Sequence, residues 1–296
     1  MSIKKLPDNS GATLTVLDLD GYYLPTFLQL KNHEEELRSM PDWKARDDDV
    51  MICTYPKSGT HWLWEIVSMM VRKKAERIKT VKETAMMEIM AKETHDNIPS
   101  PRVLNTHVYF EYLPKDFAER KCKIIYALRN PKDVAVSFFN HHSKIREYEF
   151  SGTWEDYVQR YIKGDLDYGT WFDYTLKWEK FMTDNQDYPI FVTTFEDMKE
   201  DSLREVTRIA KFLGVDCDQT FLQEVNDLCH FDRMKKEKNA LEQADGWKGD
   251  EPGMYRKGEV GDWKNWFTVA QSEQFDIVYQ EKMKDSKVKP RFTLRK

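Results

Sequence analysis

Short apolar runs alternate along the chain with longer stretches of helical spacing. Val50 to Thr54 is an unbroken strand-like run, and the polar turn Tyr55-Pro56-Lys57-Ser58-Gly59-Thr60 follows it. Beyond that turn Leu63, Ile66, Val67, Met70 and Val71 recur at i, i+3, i+4, i+7 and i+8, one face of a helix. Val103-Leu104 leads into Asn105-Thr106-His107, and Lys123 to Leu128 ends at Arg129. Asn130 and Pro131 then supply an N-cap and a first-turn proline for a helix through Phe139. Ile190 to Phe195 reads as a fourth strand; Ser202 with Glu205 reads as a capping box, and Gly214 closes the helix it opens. The alternation predicts an α/β fold, a single domain over residues 1–296 with a central parallel sheet flanked by helices. In such sheets ligands bind beyond the carboxyl ends of the strands, where Lys57, His107 and Arg129 fall. No repeat, low-complexity tract or linker interrupts the pattern; the charge-rich stretch Lys235 to Gly253 reads as a lid or loop.

Composition narrows the function classes. With 40% hydrophobic residues, including 16 Phe, 14 Tyr and 9 Trp, the chain can bury a sizeable core. Its 46 basic and 51 acidic residues leave a net charge of −5, which excludes a general nucleic-acid binder, so any anion site must be local. No apolar run reaches the roughly 18 residues of a membrane span. Met1 to Thr15 lacks the apolar stretch of a signal peptide. Cys53, Cys122, Cys217 and Cys229 show no C-x-x-C spacing, so free thiols and a cytoplasmic setting are expected.

Lys57-Ser58-Gly59-Thr60 opens a helix, where free N–H groups and the helix dipole favour an anion. The Walker A spacing is not met, so the loop is a P-loop relative at best, and a plain strand-turn-helix connection is the alternative. Arg129 after a strand can fork onto a phosphate with Ser137 two turns later, or be a surface ion pair beside a solvent-facing serine. A neutral imidazole at His107 can take a proton from a hydroxyl, though a lone histidine is often structural. His141 and His142 are adjacent on a helix and make a poor metal pair. Arg256-Lys257-Gly258 offers two cations and a close backbone approach for a second phosphate, against solvated loop charge. Trp62 and Phe231 can stack on a purine or simply pack the core. No H-E-x-x-H, EF-hand or paired zinc-ligand pattern implies a metal.

Together these motifs resemble the cytosolic sulfotransferases that use 3′-phosphoadenylyl sulfate (PAPS), from about Tyr22 to Phe292. Thr54 to Thr60 looks like the family's P-loop-like 5′-phosphosulfate loop, with His61 and Trp62 following it. Arg129-Asn130-Pro131-Lys132-Asp133 with Ser137 is similar to its 3′-phosphate element. Arg256-Lys257-Gly258 with Gly261-Asp262-Trp263-Lys264 is similar to its C-terminal cofactor clamp, and Phe231 to its adenine-side phenylalanine. The resemblance implies PAPS as co-substrate, 3′,5′-ADP (PAP) as product and no metal. It gives His107 the role of base on a phenol or alcohol, Lys57 that of neutralising the leaving phosphate oxygen, and Ser137 that of positioning the donor. Lys264, Thr268, Val269 and Glu273 match the family's K-x-x-x-T-V-x-x-x-E dimer motif and imply a homodimer. Tyr22, Tyr23, Phe150 and Trp247 are candidate acceptor-side aromatics.

The chain makes four departures from the family pattern. His61 replaces a threonine, Asn105 a lysine and Phe195 a tyrosine, and Cys229-His230 stands where Thr-Ser is usual. Loss of a cation at Asn105 would lower the rate, one preorganised electrostatic contact being worth about 3 kcal/mol; His61 offers compensating hydrogen bonds. Two alternatives stand beside the enzyme reading: a PAPS-binding protein without turnover, and a nucleotide kinase, which the missing Walker A spacing disfavours.

Overall fold

A computed structural model describes residues 1–26, 32–239, 246–249 and 254–294. Strands β1 (Ser2–Pro7), β2 (Thr13–Leu19) and β3 (Tyr22–Leu24) form an antiparallel meander with β2 in the middle. Leu14, Val16, Leu17 and Leu19 of β2 are buried, whereas β1 buries only Leu6. The chain continues through α1 (His33–Ser39), β4 (Val50–Thr54), α2 (Thr60–Arg72), α3 (Lys92–Asn97), β5 (Val103–Thr106) and α4 (Lys115–Arg120). Then come β6 (Lys123–Leu128), α5 (Pro131–Lys144), α6 (Trp154–Lys163), α7 (Trp171–Asp184) and β7 (Ile190–Thr194). Helices α8 (Phe195–Glu200), α9 (Ser202–Leu213), α10 (Gln219–Leu228), α11 (Phe231–Asn239) and α12 (Val269–Lys282) complete the described elements.

The described residues gather into two interleaved compact units. One draws on Leu30–Arg129 and Asn185–Glu242 and contains a four-stranded parallel sheet of order β5-β4-β6-β7. Every residue of β4 is buried, and so are all of β6 but Lys123, as expected for inner strands covered on both faces. At the edge β7 alternates, leaving Val192 exposed. On α2 the predicted stripe of Leu63, Ile66, Val67 and Met70 is buried, and the helix lies against β4, β5 and α9. Because all four strands run the same way, the loop bearing Lys57, then His107, Arg129 and Phe195 all emerge at one edge of the sheet.

The other unit draws on Met1–Gln29, Asn130–Asp184 and Gln243–Leu294. It holds the meander with α5, α6, α7 and α12, around rings that include Tyr161, Phe172 and Phe275. The predicted start of α5 is present: Asn130 accepts from the Asp133 N–H at 2.8 Å, and Pro131 is the first helical residue.

Four local expectations are corrected. The N-terminal meander is a finding apart from these, since β1 is exposed and polar and sequence reasoning assigned the apolar run of β2 to no element. Helix α5 runs past Phe139 to Lys144, since its polar end is buried on one side, where His142 meets Asp167 and Tyr157. Phe195 opens α8 instead of ending β7, because Thr194 caps that helix through the Asp197 N–H. No capping box forms at Ser202: Asp201, extended at φ −152°, is the N-cap and accepts from the Arg204 N–H. Glu205 is taken instead by Thr193, Arg204 and Arg208, while Gly214 closes α9 as expected. Within the stretch expected as a lid, Lys235 to Asn239 belongs to α11, with Lys238 buried on Glu65. Residues 240–245 and 250–253 of that stretch lie outside the described residues.

Candidate active site

The turn after β4 is built to meet an anion. Lys57 holds φ at +67° and Gly59, the N-cap position of α2, holds +100°. Gly59 has no side chain with which to cap α2, and the positive end of the dipole of this 13-residue helix lies at the turn. The Ser58 hydroxyl is buried with no hydrogen-bond partner among the described residues. A buried hydroxyl without a partner at the positive end of a helix fits an anion's oxygen. The Thr60 hydroxyl lies 2.7 Å from that of Thr54 and ties the loop to the strand end.

Arg129 reaches this loop from β6. Its Nη1 donates to the Lys57 carbonyl at 2.9 Å, and its guanidinium lies 4.2 Å from the centre of the Phe195 ring. Trp62 meets the same ring edge-on at 5.9 Å. The departure at Phe195 therefore deletes a hydroxyl and keeps the face on which the arginine stacks.

His107 follows β5 and is 6% exposed. Its Nδ1 lies 2.8 Å from the Thr54 carbonyl, which can only accept, so Nδ1 carries the hydrogen and Nε2 is the basic nitrogen of the neutral ring. Burial, and then the charge of Lys82, hold the imidazole well below its usual range, so the ring is neutral at pH 7. Glu88 fixes the histidine's backbone, accepting the His107 N–H and the Thr106 hydroxyl, each at 2.8 Å. Burial pushes the Glu88 carboxyl up against these hydrogen bonds.

A charged cluster adjoins this edge. Lys82 Nζ lies 3.3 Å and His61 Nε2 3.2 Å from the same oxygen of Glu83. Burial raises the Glu83 carboxyl, but Lys82 and His61 outweigh it and hold it well below the carboxylate range. Asn105 donates to the Lys82 carbonyl at 2.8 Å. Phe231, in the same unit, opens α11 after the buried Cys229, whose thiol burial pushes to about 12.

The remaining candidates belong to the other unit. Arg256 and Lys257 lie 2.7 and 2.5 Å from the two oxygens of Asp262, ahead of Gly258 at φ +65°. Asp133 accepts from the backbone N–H groups of Gly261 and Trp263. Ser137 stands on α5, partly exposed. Tyr22 and Tyr23 are half-buried on β3, with the Tyr23 hydroxyl accepting from Lys4; Phe150 and Trp247 are buried.

Sequence reasoning gave no role to Glu88, Lys82 or Glu83. Glu88 carried a usable signal, a lone acid in the apolar run Ala85 to Met90, since a buried charge needs partners. Lys82 and Glu83 carried none, because His61 and Asn105, which tie them to α2 and β5, are remote in sequence. Among the described residues no cluster of His, Cys, Asp or Glu suits a metal ion.

A family model described as "Sulfotransferase domain" matches residues 47–287. Sulfotransferase 1 family member D1 of Mus musculus is 36% identical over 291 residues, covering 93% of this chain and 95% of that protein. The amine sulfotransferase of Oryctolagus cuniculus is 35% identical over 263 residues, 86% of each chain. A crystal structure of mouse sulfotransferase SULT7A1 complexed with PAP superposes with a TM-score of 0.77 at 32% identity, over 92% of this chain and 96% of that one.

Proposed function

This chain belongs to the sulfotransferase family, whose members use PAPS, and from that premise we propose that it sulfates the hydroxyl of a small phenol or alcohol with His107 as the base. One observation carries the reading: a glycine-capped helix N-terminus preceded by Lys57 and an imidazole whose Nε2 is its basic nitrogen emerge from one sheet edge.

Lys57, Ser58, Gly59, Thr60, His61 and Trp62 would hold the 5′ end of the donor, with Arg129, Ser137, Arg256, Lys257 and Gly258 on its 3′-phosphate and Phe231 beside its adenine. The donor supplies an activated sulfuryl group, whose bond to a phosphate oxygen breaks as a bond to the acceptor oxygen forms. His107 Nε2 takes the acceptor's proton while the Thr54 carbonyl keeps the ring in that tautomer. Lys57 offsets the charge left on the phosphate oxygen, and Ser137 positions the donor. A neutral base suits a phenol or alcohol; the likeness to an amine sulfotransferase makes amines the acceptors to test against them.

We further propose a cytoplasmic homodimer formed through Lys264, Thr268, Val269 and Glu273. Val269 is 75% exposed at the start of α12, as an apolar interface residue of the free chain would be.

Labelled PAPS, incubated with panels of phenols, alcohols and amines, tests the reaction. Transfer to hydroxyls is expected, with His107→Ala lowering kcat by about 10²-fold or more. Near-full transfer by His107→Ala would remove the histidine from its role. Calorimetry showing no affinity for PAP would overturn the donor assignment.

A further inference from the structure

Lys82 is 5% exposed, on a 3-10 turn between α2 and β5. An ammonium buried this far persists only with partners, because desolvation penalises the charged form. Its partners join two of the elements that carry the site. Glu83 faces it at 3.3 Å, and His61, in the first turn of α2, reaches the same carboxylate oxygen. From β5, Asn105 donates its amide to the Lys82 carbonyl two residues before His107. Met86 Sδ, 3.4 Å from Nζ, gives only weak solvation.

Titratable groups facing His107 include Lys82 and Glu83 from the turn, His61 from α2, and Glu88, whose carboxylate receives the histidine's backbone N–H. Burial holds His61 below its usual range, so His61 braces Glu83 as a neutral ring. Lys82 and His61 hold the Glu83 carboxyl well below its usual range, and Lys82 Nζ faces it at 3.3 Å.

We propose that Lys82, braced by Glu83 and His61, is a positioning residue of the transfer centre, acting through His107 to set the pH range in which the imidazole takes the acceptor's proton. The inference rests on His107 being the base. A positive charge here favours the neutral ring and lowers the pH at which the base becomes available; Glu83 works in the opposite sense.

Two measurements test it: NMR titration of the His107 imidazole in the nucleotide-free protein, and the pH dependence of kcat/KM. Lys82→Met should raise the imidazole midpoint, and with it the acid limb of kcat/KM, by on the order of one pH unit. Glu83→Gln should move both the other way, and Lys82→Arg should keep the parent values. Should Lys82→Met not fold, Glu83→Gln reads the same coupling with opposite sign. Midpoints that superimpose on the parent's, or that move in the same direction in both variants, overturn the inference. Full activity in His107→Ala would overturn the base assignment instead, leaving the NMR result to decide whether Lys82 acts on the ring.

Discussion

Lys57 and Gly59 both hold left-handed backbone, but only the glycine does so without strain. A Cβ on Gly59 would lie 3.1 Å from the Phe195 ring, the ring on which Arg129 stacks. Gly59→Ala therefore meets two penalties, an unfavourable φ and a crowded neighbour. We expect it to cost about 1–3 kcal/mol in urea unfolding. PAP affinity, measured by calorimetry, should fall with it, because the same turn presents the N–H groups of α2. In a Phe195→Leu background the crowding is relieved and the strain is not, so part of the stability loss should return. Full recovery would mean that φ contributes nothing.

Among the elements, α5 shows how one short motif joins local and distant order. Asn130 and Pro131 start the helix by local chemistry, and both roles were legible because a cap needs only its own next three residues. Asp133 closes that cap with its N–H, and its carboxylate accepts the Asn130 amide as well as the backbone N–H groups of Gly261 and Trp263. Lys132 beside it lies 4.6 Å from the Trp263 ring centre and pairs with Asp276. The turn so held carries Asp262, on which Arg256 and Lys257 converge. Burial raises the Asp262 carboxyl, but bonds from Lys257, Asn265 and Arg256 outweigh it and hold it below the carboxylate range. Asp133→Ala strips acceptors from two backbone donors; about 2–4 kcal/mol should be lost in denaturant unfolding. PAP affinity should fall while the pH limb proposed for His107 stays in place, because the Asp133 carboxylate holds the turn proposed as the clamp. A moved limb would show that the two functions are coupled. The misread cap at Ser202 marks the limit of local reasoning: two adjacent residues could both cap, and Asp201 prevails while the expected box partner Glu205 is drawn to Thr193 and Arg208.

At the scale of the whole molecule, the parallel sheet and the edge carrying Lys57, His107 and Arg129 followed from strand-helix alternation, which dictates which strand ends align, while the order of the strands came only with the fold. The cluster of His61, Glu83 and Lys82 did not, since contacts between residues 61 and 83 leave no periodic trace. His61 and Asn105 stood out separately as departures, and only the fold shows that both end on the turn that carries Lys82. Self-association is the property least visible in one chain, and α12 is where it becomes testable. Thr268 is the helix N-cap, accepting from the Gln271 N–H while Gln271 reaches back to it, so this motif residue also has a role inside the chain. Val269 and Ile277, eight residues apart and so near one face of α12, are both largely exposed. Thr268→Ala should cost about 1 kcal/mol in chain stability whatever the assembly. Val269→Glu leaves the cap intact and places a charge where an apolar contact is proposed. Sedimentation equilibrium should then find a dimer for the parent chain and a monomer for Val269→Glu at the same concentration, with unchanged far-ultraviolet circular dichroism. A variant that stays dimeric would move the interface away from α12, because an unpaired carboxylate buried between two copies costs more than a surface contact returns.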